Sequence, residues 1–511
     1  MKHKNSLPGR IRKFGAMGLL LLLGSINGWT QAADTPANPS TDAMTDAVRE
    51  LQSEVRELRT AVVELRSEAG QYRAETEQLR RELQAARVTA PDAAAANPAS
   101  QAPAPLEERV SSLEESSQLL SSKLDDQYQA KVEAASKYRV RLSGIVLLNL
   151  FSNHGRMDSQ DTPTWAIPYI PNVSGQTLGA TMRQSEVGLE VFGPRLAGAR
   201  TSGNLQLDFA GGSPNTPNGV NFGLVRMRIA SMRMDWKDTS IVAGQDNAFF
   251  SPLSPTSFAS LALPAFSYAG NLWGWIPQVR VEHRFNLSEG QSVMLQGGIM
   301  DNVTGEPPAA FAPFAQAGDS SGQPAYAARA AWTRSVFGMP LTVGAAGYYS
   351  RQNWSFDHTV DGWAAMTDWS LPLARRVSLS GEFYRGRALG GLGGAVGRSV
   401  LYSGNPSPQA QLRALNAVGG WSQLKVTATS KLEFNGAFGV DNPFAGDVRG
   451  FPLSPGFPAP LLQNRSSLVN FIYRPRSDVL LSGEYRHLRT FDIDAGSPTA
   501  DQINLMMGIL F

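Results

Sequence analysis

The chain has 511 residues, a formal net charge of +2 and no cysteine. This composition excludes a basic nucleic-acid surface and a disulfide scaffold, and it leaves a membrane protein open.

Residues 1–33 have the form of a secretory signal peptide. Lys2, Lys4, Arg10, Arg12 and Lys13 precede a short apolar run, Met17 to Leu23, and small residues follow at Ala32 and Ala33. A membrane anchor would need roughly 18 consecutive apolar residues, so cleavage after Ala32 or Ala33 and export are expected. No later stretch has the unbroken apolar length of a membrane-spanning helix. Any span would therefore have to be a barrel, whose strands turn only every second residue to lipid.

Residues 34–88 carry heptads. Val48, Val55, Val62, Ala69, Thr76 and Leu83 share one core position, while Met44, Leu51, Leu58, Leu65, Tyr72, Leu79 and Ala86 share the other. This α-helical seam is expected to self-associate as a periplasmic coiled coil rather than stand as one solvated helix. Val beside Leu favours two strands by the simple rule, which Ala69, Thr76 and Tyr72 dilute. Residues 89–105 are an Ala/Pro-rich linker. Residues 106–136 hold a second, weaker heptad segment on Leu106, Val110, Leu113, Leu120 and Leu124.

From residue 137 to 511 the pattern is that of an all-β transmembrane barrel of sixteen antiparallel strands, from Tyr138–Phe151 to Gln502–Phe511. Links of few residues (193–199, 237–238, 286–290, 335–339, 371–375, 429–430, 475–477) alternate with longer ones (152–179, 210–222, 247–275, 301–325, 352–359, 387–419, 441–465, 489–501). Segregation of loop length by parity is the habit of outer-membrane barrels, and a soluble sandwich has no reason for it. Strand faces agree: Ile503, Leu505, Met507 and Ile509 share one parity, and Val279, Val281 and Phe285 alternate with Gln278, Arg280, Glu282 and Arg284. The terminal Phe511 fits the C-terminal signal that the outer-membrane assembly machinery reads.

Sixteen strands leave an aqueous lumen. On these faces Arg226, Arg228, Arg280, Arg284 and Arg329 point inward, where a ladder of guanidinium groups would favour anions. The competing expectation is that they pair with lumen carboxylates such as Glu186, Glu190, Asp208, Glu282, Glu382 and Glu484. The link 247–275 contains Phe249, Phe250, Phe258, Phe266, Tyr268, Trp273 and Trp275 and no charged residue. A loop of that composition is expected to fold into the barrel as a constriction, or else to form a subunit contact.

Leu142-Ser143-Gly144 opening the first strand, and Val242-Ala243-Gly244-Gln245 followed by Phe249-Phe250-Ser251, resemble the DcaP-like trimeric outer-membrane porins. So does the order of signal peptide, coiled coil and barrel. The resemblance implies a homotrimer and passive uptake of small hydrophilic, anionic solutes such as dicarboxylates. An outer-membrane enzyme is disfavoured: His3, His154, His283, His358 and His487 form no fixed triad or metal-ligand spacing, and no cofactor is indicated. The structural alternative is an anchor whose coiled coil, about 60 Å long at about 1.5 Å per residue, tethers the membrane to peptidoglycan or a periplasmic partner.

Overall fold

The computed structural model describes residues 139–212, 223–306, 314–452, 461–493 and 496–511. The signal peptide, both heptad segments with Val48, Leu51, Val55, Leu58, Val62 and Leu65, and the linker lie outside these residues.

The described chain is a closed antiparallel β-barrel. Its strands are β1 (Arg139–His154), β2 (Gln176–Thr181), β3 (Glu186–Leu196), β4 (Ala199–Asp208), β5 (Arg226–Asp235), β6 (Thr239–Asn247), β7 (Trp275–Ser288), β8 (Gln291–Met300), β9 (Ala325–Val336), β10 (Met339–Asn353), β11 (Thr359–Ala374) and β12 (Val377–Arg387). A small hairpin, β13 (Val400–Tyr402) and β14 (Leu412–Ala414), lies within one long loop. The wall resumes with β15 (Asn416–Thr427), β16 (Leu432–Pro443), β17 (Leu461–Arg476), β18 (Val479–Asp492) and β19 (Thr499–Leu510). Because β2 and β3 pair with successive halves of β1, they form one interrupted stave, and the barrel has sixteen.

Closure is antiparallel, with β1 on β19 from Ile145↔Leu510 to His154↔Asp501. Gly144 and Phe511 complete this seam by exchanging both backbone bonds, at 2.8 and 3.1 Å. A Cβ on Gly144 would lie 2.7 Å from the Phe511 ring and 2.4 Å from the Glu186 carbonyl oxygen, so only glycine lets the terminal ring seat there.

Alternation along the strands sorts side chains as the sequence predicts. In β19 the outward Ile503, Leu505, Met507 and Ile509 are exposed, while Gln502, Asn504 and Met506 are buried inside. In β7 Val279, Val281 and Phe285 are outward, and Gln278, Arg280 and Glu282 are buried inside. His283 and His487 fall on the outward parity, against Thr239 (2.8 Å) and Asp501 (2.7 Å) respectively.

One irregularity changes the faces of β5. Between β4 and β5 the register jumps from Gln206↔Ile229 to Leu207↔Met227, leaving Arg228 as the extra residue of a bulge. The neighbouring strand serves this bulge. Gln245 donates from its side-chain amide to the carbonyl oxygens of Met227 (3.0 Å) and Arg228 (2.9 Å). Gly244, at φ 127°, passes so close to Ala230 that a Cβ would meet its carbonyl oxygen at 2.3 Å.

Candidate functional site in the barrel lumen

The segment between β6 and β7 runs inside the barrel. Its uncharged sequence gives it no reason to stay in water, and the wall supplies the polar partners its backbone needs. Glu382 on β12 accepts from the Ser251 hydroxyl (2.6 Å) and the Leu253 N–H (2.8 Å). On β15, Gln423 accepts from the Thr256 N–H (2.6 Å), and on β17 the Asn470 amide donates to the Thr256 carbonyl (2.8 Å). Farther along, Gln184 accepts from the Leu261 N–H (2.9 Å) and Arg486 on β18 donates to Ser260 (2.5 Å). Each wall residue is a buried polar group that gains its partner from the loop.

Of the aromatic residues of this segment Phe249, Phe250 and Phe266 are buried, and Phe258, Tyr268 and Trp273 are half-buried. Phe249 and Phe250 pack edge to face and join Ile276, Tyr348, Met366, Tyr384, Leu389 and Leu392 in one apolar cluster. Phe266 packs with Trp421 and Leu468, and Phe258 lies against Leu147, Ile472 and Leu480. Tyr268 meets Trp165 of the 155–175 loop at 5.4 Å, and Trp273 stacks edge-on to Trp275 at 5.2 Å. The same 155–175 loop is held by Asp158, which accepts from the N–H groups of Thr164 (2.8 Å) and Trp165 (3.0 Å); burial raises its carboxyl above the ordinary range.

The inward arginines are matched by carboxylates. Arg226 bonds Asp208 through two nitrogens (3.1 and 2.6 Å) and donates to the carbonyl of Ala262 in the inner loop (2.5 Å). Arg228 pairs with Glu186 and lies 3.8 Å from Asp208. Both guanidinium groups stack on Trp275, at 4.8 and 4.7 Å. Arg280 contacts Asp246 (2.9 Å) and Glu282 (2.8 Å), and Arg329 makes a two-point contact with Asp368. Arg284 is exposed nearer the short-turn end and has no ion-pair partner among the described residues.

Gln296 links two of these pairs, donating to Glu282 (3.0 Å) and accepting from Arg329 (3.0 Å). Arg233 extends the chain at the other end, with Asp235 (2.7 Å) and Glu282 (2.9 Å). A continuous polar belt thus runs along the inner wall from β5 to β11, opposite in character to the apolar cluster under Phe249 and Phe250.

Arg233 is absent from the sequence-derived ladder because the bulge at Arg228 reverses the faces of the rest of β5. Its signal is the odd spacing of Met227 and Met232, both exposed outward although five residues apart. Arg486, paired with Glu484 (2.7 Å), is likewise outside that ladder. A second inward segment, around Leu389, Leu392 and Ala395, backs the first: the Trp273 N–H donates to the Leu392 carbonyl (3.1 Å), and the Tyr384 hydroxyl beneath it donates to Asp441 (2.8 Å).

No family model and no curated protein sequence matches the chain. Among solved structures it is similar to the outer membrane channel DcaP of Acinetobacter baumannii, at 17% identity and a TM-score of 0.56, over 75% of this chain and all of that one. It also aligns with the anion-selective porin from Comamonas acidovorans, at 11% identity and a TM-score of 0.43, over 73% of this chain and all of that one. Pseudomonas putida OprB aligns at 11% identity and a TM-score of 0.44, over 73% of this chain and 94% of its own. The DcaP similarity establishes a shared barrel fold; the other two are too distant to bear on the argument.

Proposed function

We propose that the protein is an outer-membrane porin, a passive diffusion channel for small hydrophilic solutes, acting as a homotrimer. The observation that carries this reading is the inner loop 248–274, held across a closed sixteen-stave barrel by wall residues on β12, β15, β17 and β18. A barrel of this size without such a loop has a wide lumen; with it, passage is limited by the loop and the facing wall. The outward apolar residues form the surface such a barrel turns to lipid.

The pairing of Arg226, Arg228, Arg280 and Arg329 bears on selectivity. A guanidinium already bonded to a carboxylate attracts a passing anion far less than a free one. Weak charge selection therefore follows, and dicarboxylate-type solutes, which the resemblance to DcaP-like porins implies, would bind by exchanging with Asp208, Asp246 or Asp368. Liposome swelling with arabinose, succinate and a diamine of similar size tests this. Similar rates for arabinose and succinate support the reading, whereas exclusion of all three contradicts it.

A further inference from the structure

Near its long-loop end the outward face of the barrel carries a pair of arginines that the lumen account does not use; the other cross-strand arginine pair among the described residues, Arg195 and Arg200, flanks a short turn. Arg465 on β17 and Arg489 on β18 are direct cross-strand partners, and both are exposed on the outer surface. Two like charges facing each other across a strand pair repel, which destabilises the pair unless something compensates. The described residues offer little. Among the described residues neither arginine has a carboxylate partner; both lie over the ring of Phe491, at 5.1 and 4.9 Å, and Arg489 reaches the Ser497 hydroxyl at 3.3 Å. On the adjoining strand Asp501 is already engaged by the Tyr485 hydroxyl and the His487 ring, each at 2.7 Å.

Two other outward arginines near this end, Arg385 and Arg351, are engaged differently. Arg385 is wedged between Trp363 (5.5 Å) and Phe444 (4.2 Å) and donates to the carbonyls of Gly386 (2.7 Å) and Ala417 (3.3 Å). Arg351 has Asp361 at 4.0 Å. Arg465 and Arg489 thus keep a fork of donors each, pointing outward and held by one aromatic ring.

Their place on the strands decides what they meet. Both sit within one turn of pleats of the strand ends that join long loops, and long loops mark the outer side of an outer-membrane barrel. Below them on the same two strands, beyond the cross-strand pair Ser467 and His487, Val469, Phe471 and Tyr485 are exposed and apolar or amphipathic. The pair therefore stands at the upper edge of the apolar belt, where acyl chains end and headgroups begin. Paired guanidinium groups at cross-strand spacing match the oxygens of a single phosphate.

We propose that Arg465 and Arg489, braced by Phe491, form a clamp for the phosphate of an outer-leaflet lipid headgroup. The inference rests on the reading of the chain as an outer-membrane barrel, and not on its conductance.

The test is native mass spectrometry of the full-length protein in detergent, titrated with lipid A, with dephosphorylated lipid A and with inorganic phosphate. Wild type, Arg465→Gln/Arg489→Gln and Phe491→Leu are compared, and the heat-dependent shift in gel mobility reports that each barrel is folded. The expected result is retention of lipid A by wild type, at least a tenfold weaker retention by the double variant, an intermediate loss with Phe491→Leu, and little retention of the dephosphorylated lipid. Equal retention by wild type and double variant overturns the proposal, as does equal retention of the dephosphorylated lipid. Saturation by inorganic phosphate at the concentration of lipid A assigns the site to a free anion, and dissociation of an oligomer without loss of lipid assigns it to a second copy of the chain; either result also overturns it. A protein that conducts nothing yet retains lipid A through these arginines keeps the clamp while removing the porin, so the two failures are distinct.

Discussion

Arg329 and Asp368 meet above an intervening strand: Nε to Oδ2 at 2.9 Å and Nη2 to Oδ1 at 2.7 Å, although β9 and β11 are separated by β10. What lets them reach each other is Gly344, the β10 partner of Asp368. The carboxylate lies over it, and a Cβ there would come within 2.3 Å of Oδ2. The pair is largely buried, and it is the point at which the polar belt of the lumen ends.

Removing one partner of a buried pair leaves the other charge uncompensated, at a cost of about 3–5 kcal/mol. Asp368→Asn is expected to lower the temperature at which the folded barrel loses its gel mobility, and to shift the reversal potential toward anions, because it frees the Arg329 guanidinium. Arg329→Gln is expected to destabilise likewise but to shift the potential the other way. Shifts of the same sign in both variants would contradict the pairing.

Gly344→Val is expected to reproduce the selectivity shift of Asp368→Asn without touching a charge, since the new side chain displaces the carboxylate. Gly347→Ala on the same strand is the control. Its Cβ would have only the Ala364 carbonyl oxygen near, at an ordinary 4.0 Å, and wild-type reversal potential is expected. Ion-selectivity measurements on the two proteins, side by side, check this.

Glu382 tethers the start of the inner loop by two bonds, and leaving a buried donor without its acceptor costs about 1–3 kcal/mol. Glu382→Ala is expected to loosen residues 251–253, raise open-channel noise and increase hydrogen exchange at Leu253. Unchanged exchange there would mean that the apolar packing of Phe249 and Phe250 holds the loop by itself.

Much of this barrel is legible in sequence because alternation and loop parity are properties of single strands and their ends. Segment Gln291–Met300 coincides with β8, and the sixteen predicted segments each overlap one stave. What escaped reading depends on relations between strands. The bulge at Arg228 needs the register of β4 and β5, and without it Arg233 falls on the wrong face. The partnership of Arg329 with Asp368 needs β10 to place a glycine between them. The aromatic, uncharged composition of 247–275 flagged its loop as inward, whereas Leu389 and Leu392 sit among glycines whose pattern points nowhere in particular.

The central claim is that a closed barrel narrowed by its inner loop conducts small ions through a lumen of matched charges. Purified protein in planar bilayers, with single-channel conductance and reversal potential recorded in a salt gradient, tests it most directly. The account predicts stepwise conductance in groups of three, with a modest reversal potential that moves in opposite directions in Asp368→Asn and Arg329→Gln. A correctly folded protein that passes no current would contradict it.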